Sequence, residues 1–205
     1  MIEPSRQPLV IACGALAADL RAVLGASGLS QRVEVAYLPA RWHNRPDRIV
    51  PELGPRIAEA RRQGRTVFVA YADCGTGGRL DALLAEFPGV ERLPGAHCYE
   101  MFAGSATFAA LSAAEPGTFY LTDFLVKHFD ALVWGGLGLS RHPHLRDAYF
   151  GHYRRAVYLS QSANAGLLTQ AKAAADKLGL DFEHHPAGRS GLGDALVGFV
   201  SRTVA

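Results

Sequence analysis

The chain has 205 residues, is 49% hydrophobic and 20% charged, and carries a formal net charge of +2. A chain of this mass can bury roughly 70% of its unfolded surface, so residues 1–205 are expected to form a single domain around one core, without staples. The charged and aromatic content excludes a disordered chain, and so small a net charge gives no footprint for a nucleic-acid partner.

In chain order, the first expected strand is Leu9–Cys13. Its Val10-Ile11-Ala12-Cys13 mimics a lipoprotein processing site, where a small residue precedes an acylated cysteine. A secretory apolar region needs about 7–15 residues behind a basic segment. Pro8 to Ala12 offers five, and Glu3 partly cancels Arg6. Nothing approaches the roughly 20 apolar residues of a membrane span. The expected location is therefore cytoplasmic, with reduced thiols and no membrane partner. Leu16, Leu20, Val23 and Leu24 then share one helical face, and Val33–Leu38 reads as a second strand. His43-Asn44-x-Pro46 follows it: His43, directed into the crevice, and Asn44, which could also cap the next helix, are candidate cofactor-binding residues, and a surface loop accounts for the pair equally well. Ile49, Leu53, Ile57 and Ala60 form a helical stripe interrupted by Pro51 and Pro55. A helix starting near Pro55, or one bent after Pro46, accommodates both prolines.

Thr66–Ala72 is the third strand, followed by Cys74-Gly75-Thr76-Gly77-Gly78. Such a loop presents backbone N–H groups to an anion, which makes Gly75 and Gly77 candidate cofactor-binding positions, although a structural turn explains the glycines equally well. It matches neither G-x-G-x-x-G nor a P-loop. The short run Val90–Leu93 and a Pro94-Gly95 turn precede Cys98 and a helical stretch, Tyr99–Leu111. Thr118–Leu121, Ala131–Trp134 and Ala156–Leu159 complete the expected strands. Asp123 is read as a helix cap. His142, His144 and His152 form no defined metal motif. Leu167, Leu168, Ala171, Ala174, Ala175 and Leu178 make a helix that stops at Lys177 and Gly179. His184-His185 read as exposed loop residues. The alternation predicts an α/β fold, a mostly parallel sheet covered by helices on both faces in Rossmann-like layers.

Three cysteines cannot all pair within one chain. In a parallel sheet Cys13, Cys74 and Cys98 each fall at a strand-to-helix turn, on the carboxyl edge where such folds bind ligands. Three converging thiolates suit zinc or an iron–sulfur cluster, with His97 or a loop carboxylate as a fourth ligand, or an open position for substrate. The plainer alternative is three unrelated buried thiols acting as small hydrophobes, since no C-x-x-C pair is present.

The ordered segments resemble a bacterial and archaeal family catalogued as domain of unknown function 1638. They run from Ile11-Ala12-Cys13-Gly14 through Leu38-Pro39, His43-Asn44-x-Pro46, Tyr71-x-x-Cys74-Gly75 and Cys98 with Gly104-Ser105. They continue with Thr118-Phe119-Tyr120-Leu121-Thr122-Asp123, Gly136-Leu137-Gly138-Leu139, Arg141-His142-Pro143, Tyr149-Phe150-Gly151-x-Tyr153 and Val157-Tyr158-Leu159. The resemblance implies that Cys13, Cys74 and Cys98 are recurrent positions. Where many members carry His-Asp-Cys, this chain reads Ala96-His97-Cys98. It further implies a role beside corrinoid-dependent methyltransferase components, with a corrinoid protein or methyltransferase as partner.

Three functions compete. The first is a metalloprotein of corrinoid-linked one-carbon metabolism, either an accessory or an enzyme. The second is a metal-free cysteine-dependent enzyme with a resolving thiol and His97 as base. The third is a non-catalytic module binding a corrinoid protein or an anionic ligand.

Overall fold

The structure, a computed structural model, describes residues 7–204; Glu3 and Arg6 of the leader argument lie outside them. The chain forms two compact units, one built from the residues up to Met101 and from Arg189 onward, the other from Phe102–Gly188.

The first unit carries β1 (Leu9–Cys13), β2 (Glu34–Leu38), β3 (Val67–Ala70) and β4 (Glu91–Arg92), all parallel in the order β2-β1-β3-β4. Central strands β1 and β3 are buried at every position, which is why they read as continuous apolar runs rather than alternating ones. Helix α1 (Ala17–Ala26) buries Leu20, Val23 and Leu24, the stripe seen in the sequence. Helix α2 (Ile49–Arg62) buries Ile49, Leu53, Ile57 and Ala60. It starts at Ile49 after a 3-10 turn, Pro46–Arg48, so the bend after Pro46 is the correct resolution. Pro51 falls in the first turn, where a backbone N–H has no helical partner anyway. Pro55 lies inside the helix. Short helices α3 (Arg79–Ala85) and α4 (Cys98–Ala103) follow β3 and β4. The C-terminal helix Ser190–Val204 buries Leu192, Leu196, Phe199 and Val200, and its Phe199 ring lies 5.3 Å from Phe68 on β3.

The second unit carries β5 (Thr118–Thr122), β6 (Arg155–Ser160) and β7 (Asp181–Pro186), again parallel and in that order. The expected helical stretch through Leu111 breaks at Gly104, whose φ is +80°, and resumes as α5 (Ser105–Ala114). Helices α6 (Asp123–Lys127), α7 (Arg146–Phe150) and α8 (Ala165–Leu178) complete it. Asn164 caps α8 by accepting the Leu167 N–H at 3.1 Å, and Gly179 ends it in the left-handed region.

The α/β class with parallel strands stands, and the strands divide into two sheets. Two local expectations are corrected. Ala131–Trp134 is no strand: Asp130–Trp134 is a π-helical turn, with the Gly135 N–H reaching Asp130 O at 2.7 Å. Val126, Phe129 and Val133 keep helical spacing into the core, and a four-residue apolar window does not distinguish that period from a strand. His184 and His185 lie in strand β7, not a loop; its polar edge sequence hides the strand. Among the described residues no helix is long and apolar enough to cross a membrane.

Candidate functional site

The four parallel strands of the first unit send their carboxyl ends to one edge. Cys13 is the last residue of β1 and only 2% exposed. Its sulfur accepts the Ala15 N–H at 3.3 Å, capping the 3-10 turn Gly14–Leu16. A Cβ on Gly14 would stand 2.9 Å from Leu38 O and 3.2 Å from Ala40 N. Glycine therefore lets the exit of β1 press against the exit of β2. That approach sets the 3-10 segment Ala40–Asn44 over Cys13, with His43 Nδ1 at 3.5 Å and Nε2 at 4.0 Å from Sγ. Nδ1 also lies 3.0 Å from Ala40 O, so an N–H there donates to that carbonyl, and Nε2 is the nitrogen that would face a cation when the ring is neutral.

Beyond β3 the chain runs on beside the segment after β4, with the Asp73 N–H donating to Gly95 O at 3.1 Å and the Cys74 N–H to Ala96 O at 2.9 Å. These bonds bring Cys74 to Cys98, the first residue of α4. Cys74 adopts φ +48°, the one non-glycine with positive φ among the described residues. Such backbone is costly and concentrates at functional sites. The glycine loop that follows does not wait for an outside anion. The Asp73 carboxylate accepts Thr76 Oγ1–H at 2.5 Å, Gly77 N–H at 3.0 Å and Gly78 N–H at 2.9 Å. Gly77 is thus engaged by an internal anion. Gly75, at φ +81°, sits where an added Cβ would meet Pro46 at 3.6 Å, so the histidine loop runs close by the cysteine loop.

The polarisation of the cluster follows from these contacts. Cys98 donates its S–H to Cys74, which together with His43 and the Cys98 backbone N–H outweighs burial and pulls the Cys74 thiol down to about 5. The same hydrogen bond, with burial, pushes the Cys98 thiol well up. Burial of the His43 ring opposes its charge, but hydrogen bonds and the negative field of Cys13 and Cys74 prevail and raise it to about 11. A thiolate–imidazolium pair results, with Cys98 holding the shared proton.

Tyr71 completes the cluster. It is 1% exposed, and the register that sets Ala12 beside Ala70 makes it a neighbour of Cys13 at the strand exits. Its hydroxyl has no hydrogen-bond partner of proper geometry. A buried hydroxyl left so costs about 1–3 kcal/mol. Burial, then Cys13, pushes the phenol well above its ordinary value. His97 takes no visible part: it is exposed and its ring lies 6.0 Å from Tyr99. His43 stands where a fourth ligand was sought. Asn44 ends the 3-10 segment, and the next turn takes Arg45 as its N-cap, so Asn44 is not at the capping position.

The donor set fits a thiophilic metal. Zinc–sulfur and zinc–nitrogen bonds of about 2.3 and 2.0–2.1 Å put neighbouring ligands on a tetrahedron about 3.5 Å apart. His43 Nε2 needs to close by only about 0.5 Å from its present 4.0 Å to Cys13 Sγ. As the side chains lie, no three His, Cys, Asp or Glu groups among the described residues already form a metal-holding set.

The second unit has a polar cluster of its own that sequence reading reduced to a cap. Thr122 is the actual cap of α6, accepting the Leu125 N–H. Asp123, 4% exposed, instead accepts Tyr158 O–H at 2.7 Å, Gln161 N–H at 3.0 Å and Ser162 O–H, tying the end of β5 to the end of β6. Its own N–H donates to Gln161 Oε1 at 2.7 Å.

The family model described as "Protein of unknown function (DUF1638)" matches residues 37–196, a stretch that holds His43, Cys74 and Cys98 and begins after Cys13. No curated protein and no solved structure matches the chain.

Proposed function

We propose, for a chain that belongs to the DUF1638 family of proteins of unknown function, that Cys13, Cys74, Cys98 and His43 form a thiolate-rich metal centre. The protein would work in the reducing cytoplasm, in corrinoid-linked one-carbon metabolism, as an accessory or as an enzyme. The observation that carries the metal reading is the meeting of three thiols and one imidazole from four different strand exits. The methyl-transfer setting and a corrinoid protein or methyltransferase partner are supported by the family resemblance. Zinc suits a mixed sulfur–nitrogen set better than an iron–sulfur cluster, whose irons are held by cysteine thiolates. A bound zinc would supply Lewis acidity and hold an incoming thiol as thiolate. The chain's own part is to deliver three sulfurs from a rigid sheet edge and one imidazole from a more exposed 3-10 segment.

Anaerobic purification followed by elemental analysis and absorption spectroscopy tests this. Near-stoichiometric zinc, lost in Cys74→Ser and Cys98→Ser, supports it. Neither zinc nor iron at substantial occupancy, with the serine variants unchanged in any activity found, refutes it.

The polarised Cys74–Cys98 pair favours one other reading, a metal-free thiol enzyme with Cys74 as nucleophile and Cys98 as resolving thiol. It predicts one thiol of the metal-free protein alkylated far faster than the rest near pH 6. Uniformly slow labelling refutes it.

A further inference from the structure

Tyr71 continues the line of β3 between a fully buried strand and the strained Cys74. Its ring needs the interior; its hydroxyl does not. Phenylalanine would fill the same space without burying a polar atom. The hydroxyl is buried without a hydrogen-bond partner. The register that sets Ala12 beside Ala70 makes the next residues, Cys13 and Tyr71, neighbours at the exits of β1 and β3, and Cys13 and Cys74 both act on the phenol. A thiol sulfur is a weak acceptor. A thiolate is a charged one, and hydrogen bonds to charged groups are the stronger kind.

We infer that Tyr71 is a positioning residue of the thiolate centre, its O–H donating to the Cys13 sulfur when that sulfur serves as a metal ligand. The inference rests on the metal reading above. On uptake of a thiophilic cation the Cys13 proton passes to solvent and the sulfur lone pair goes to the metal. A second lone pair then accepts from Tyr71. The phenol keeps its proton throughout and fixes the orientation of the ligand, as outer-shell donors do at metal sites. The orphaned hydroxyl of the metal-free protein is thereby satisfied in the loaded one.

Tyr71→Phe in the full chain tests this with zinc as the probe. Three quantities are read: the urea midpoint of the metal-free protein, zinc affinity by chelator competition, and the rate at which iodoacetamide alkylates Cys13 without metal, located by mass spectrometry. The expected result is a metal-free variant at least as stable as the wild type, zinc bound about tenfold more weakly, and slower Cys13 alkylation. A variant with a lower midpoint, wild-type zinc affinity and wild-type alkylation overturns the inference, leaving Tyr71 as core filling and the metal reading intact. If the wild type takes up no zinc, the metal reading falls, and Cys13 alkylation alone decides: slowed in the variant, Tyr71 serves the thiolate; unchanged, it does not.

Discussion

Replacing Gly14 by alanine probes the contact on which the site is built. Two opposed effects set the magnitude. In the unfolded chain, alanine has less freedom to lose than glycine, which stabilises by about 0.4–1 kcal/mol where the native backbone allows it. Gly14 has no positive φ to forbid it. Against this, the new Cβ stands 2.9 Å from Leu38 O and 3.2 Å from Ala40 N. Both are backbone atoms of a strand exit and cannot rotate away. Overpacking of this kind costs about 1–3 kcal/mol, so the net effect is a destabilisation of up to about 2.6 kcal/mol, with about zero as its lower bound. Relief requires the Ala40–Asn44 segment to lift, which carries His43 off Cys13. Urea unfolding gives the stability, and zinc competition gives the loss of metal affinity. Gly25→Ala is the internal control: its Cβ meets nothing within 4 Å, and in helix α1 it should stabilise by about 0.5–1 kcal/mol. A Gly14→Ala protein stabilised as much as Gly25→Ala, with unchanged zinc binding, would refute the close approach of the two strand exits.

Further outcomes follow from other parts of the two units. Asp73→Ala removes the acceptor of Thr76, Gly77 and Gly78 and should cost about 1–3 kcal/mol in urea unfolding; no loss would mean the loop does not depend on it. Asp123→Ala strands the buried Tyr158 hydroxyl and the Gln161 N–H, at about 1–3 kcal/mol each. A total loss of at least about 2 kcal/mol is expected in the thermal or urea transition, and a loss under about 0.5 kcal/mol contradicts the latch. For the metal-free site the pH profile has a defined shape. Cys74, lowered from 9.0 to about 5, contributes stability that is complete above pH 9 and lost as the pH falls to 5. His43, raised from 6.5 to about 11, contributes stability that is complete below pH 6.5 and lost as the pH rises to 11. The stability difference between wild type and a Cys74→Ser, His43→Ala double variant should therefore rise from pH 5 to 6.5, stay level to 9 and fall beyond. A difference that is flat across that whole range contradicts the thiolate–imidazolium pair.

The parallel order of the first sheet was legible because β1 and β3 are buried on both faces and carry uninterrupted apolar runs. That puts Cys13 and Cys74 on one edge, and the short run Val90–Leu93 with its Pro94-Gly95 turn adds Cys98. His43 and His97 are both visible as candidates, but adjacency in sequence to Cys98 favours His97 as the fourth ligand. The deciding signal was Gly14 beside Cys13: close approach at the end of β1 draws in the β2 exit, and His43 comes with it. Gly77 reads from sequence as an N–H offered either to an outside anion or to a structural turn; the turn is the case, and Asp73 is the anion of its own loop. Asp123 reads as a cap only locally. Its partners, Tyr158, Gln161 and Ser162, lie more than 30 residues away, and local preference cannot see a latch between two strand ends. The π-helical turn at Asp130–Trp134 and the polar edge strand β7 escaped because short windows carry too little periodicity.

X-ray absorption at the zinc edge on protein purified without chelators tests the central claim most directly. The account predicts a four-ligand shell of three sulfurs at about 2.3 Å and one nitrogen at about 2.0–2.1 Å, with one sulfur lost in each of Cys13→Ser, Cys74→Ser and Cys98→Ser and the nitrogen lost in His43→Ala. A shell of oxygen and nitrogen alone, or one that none of these four substitutions alters, would contradict it.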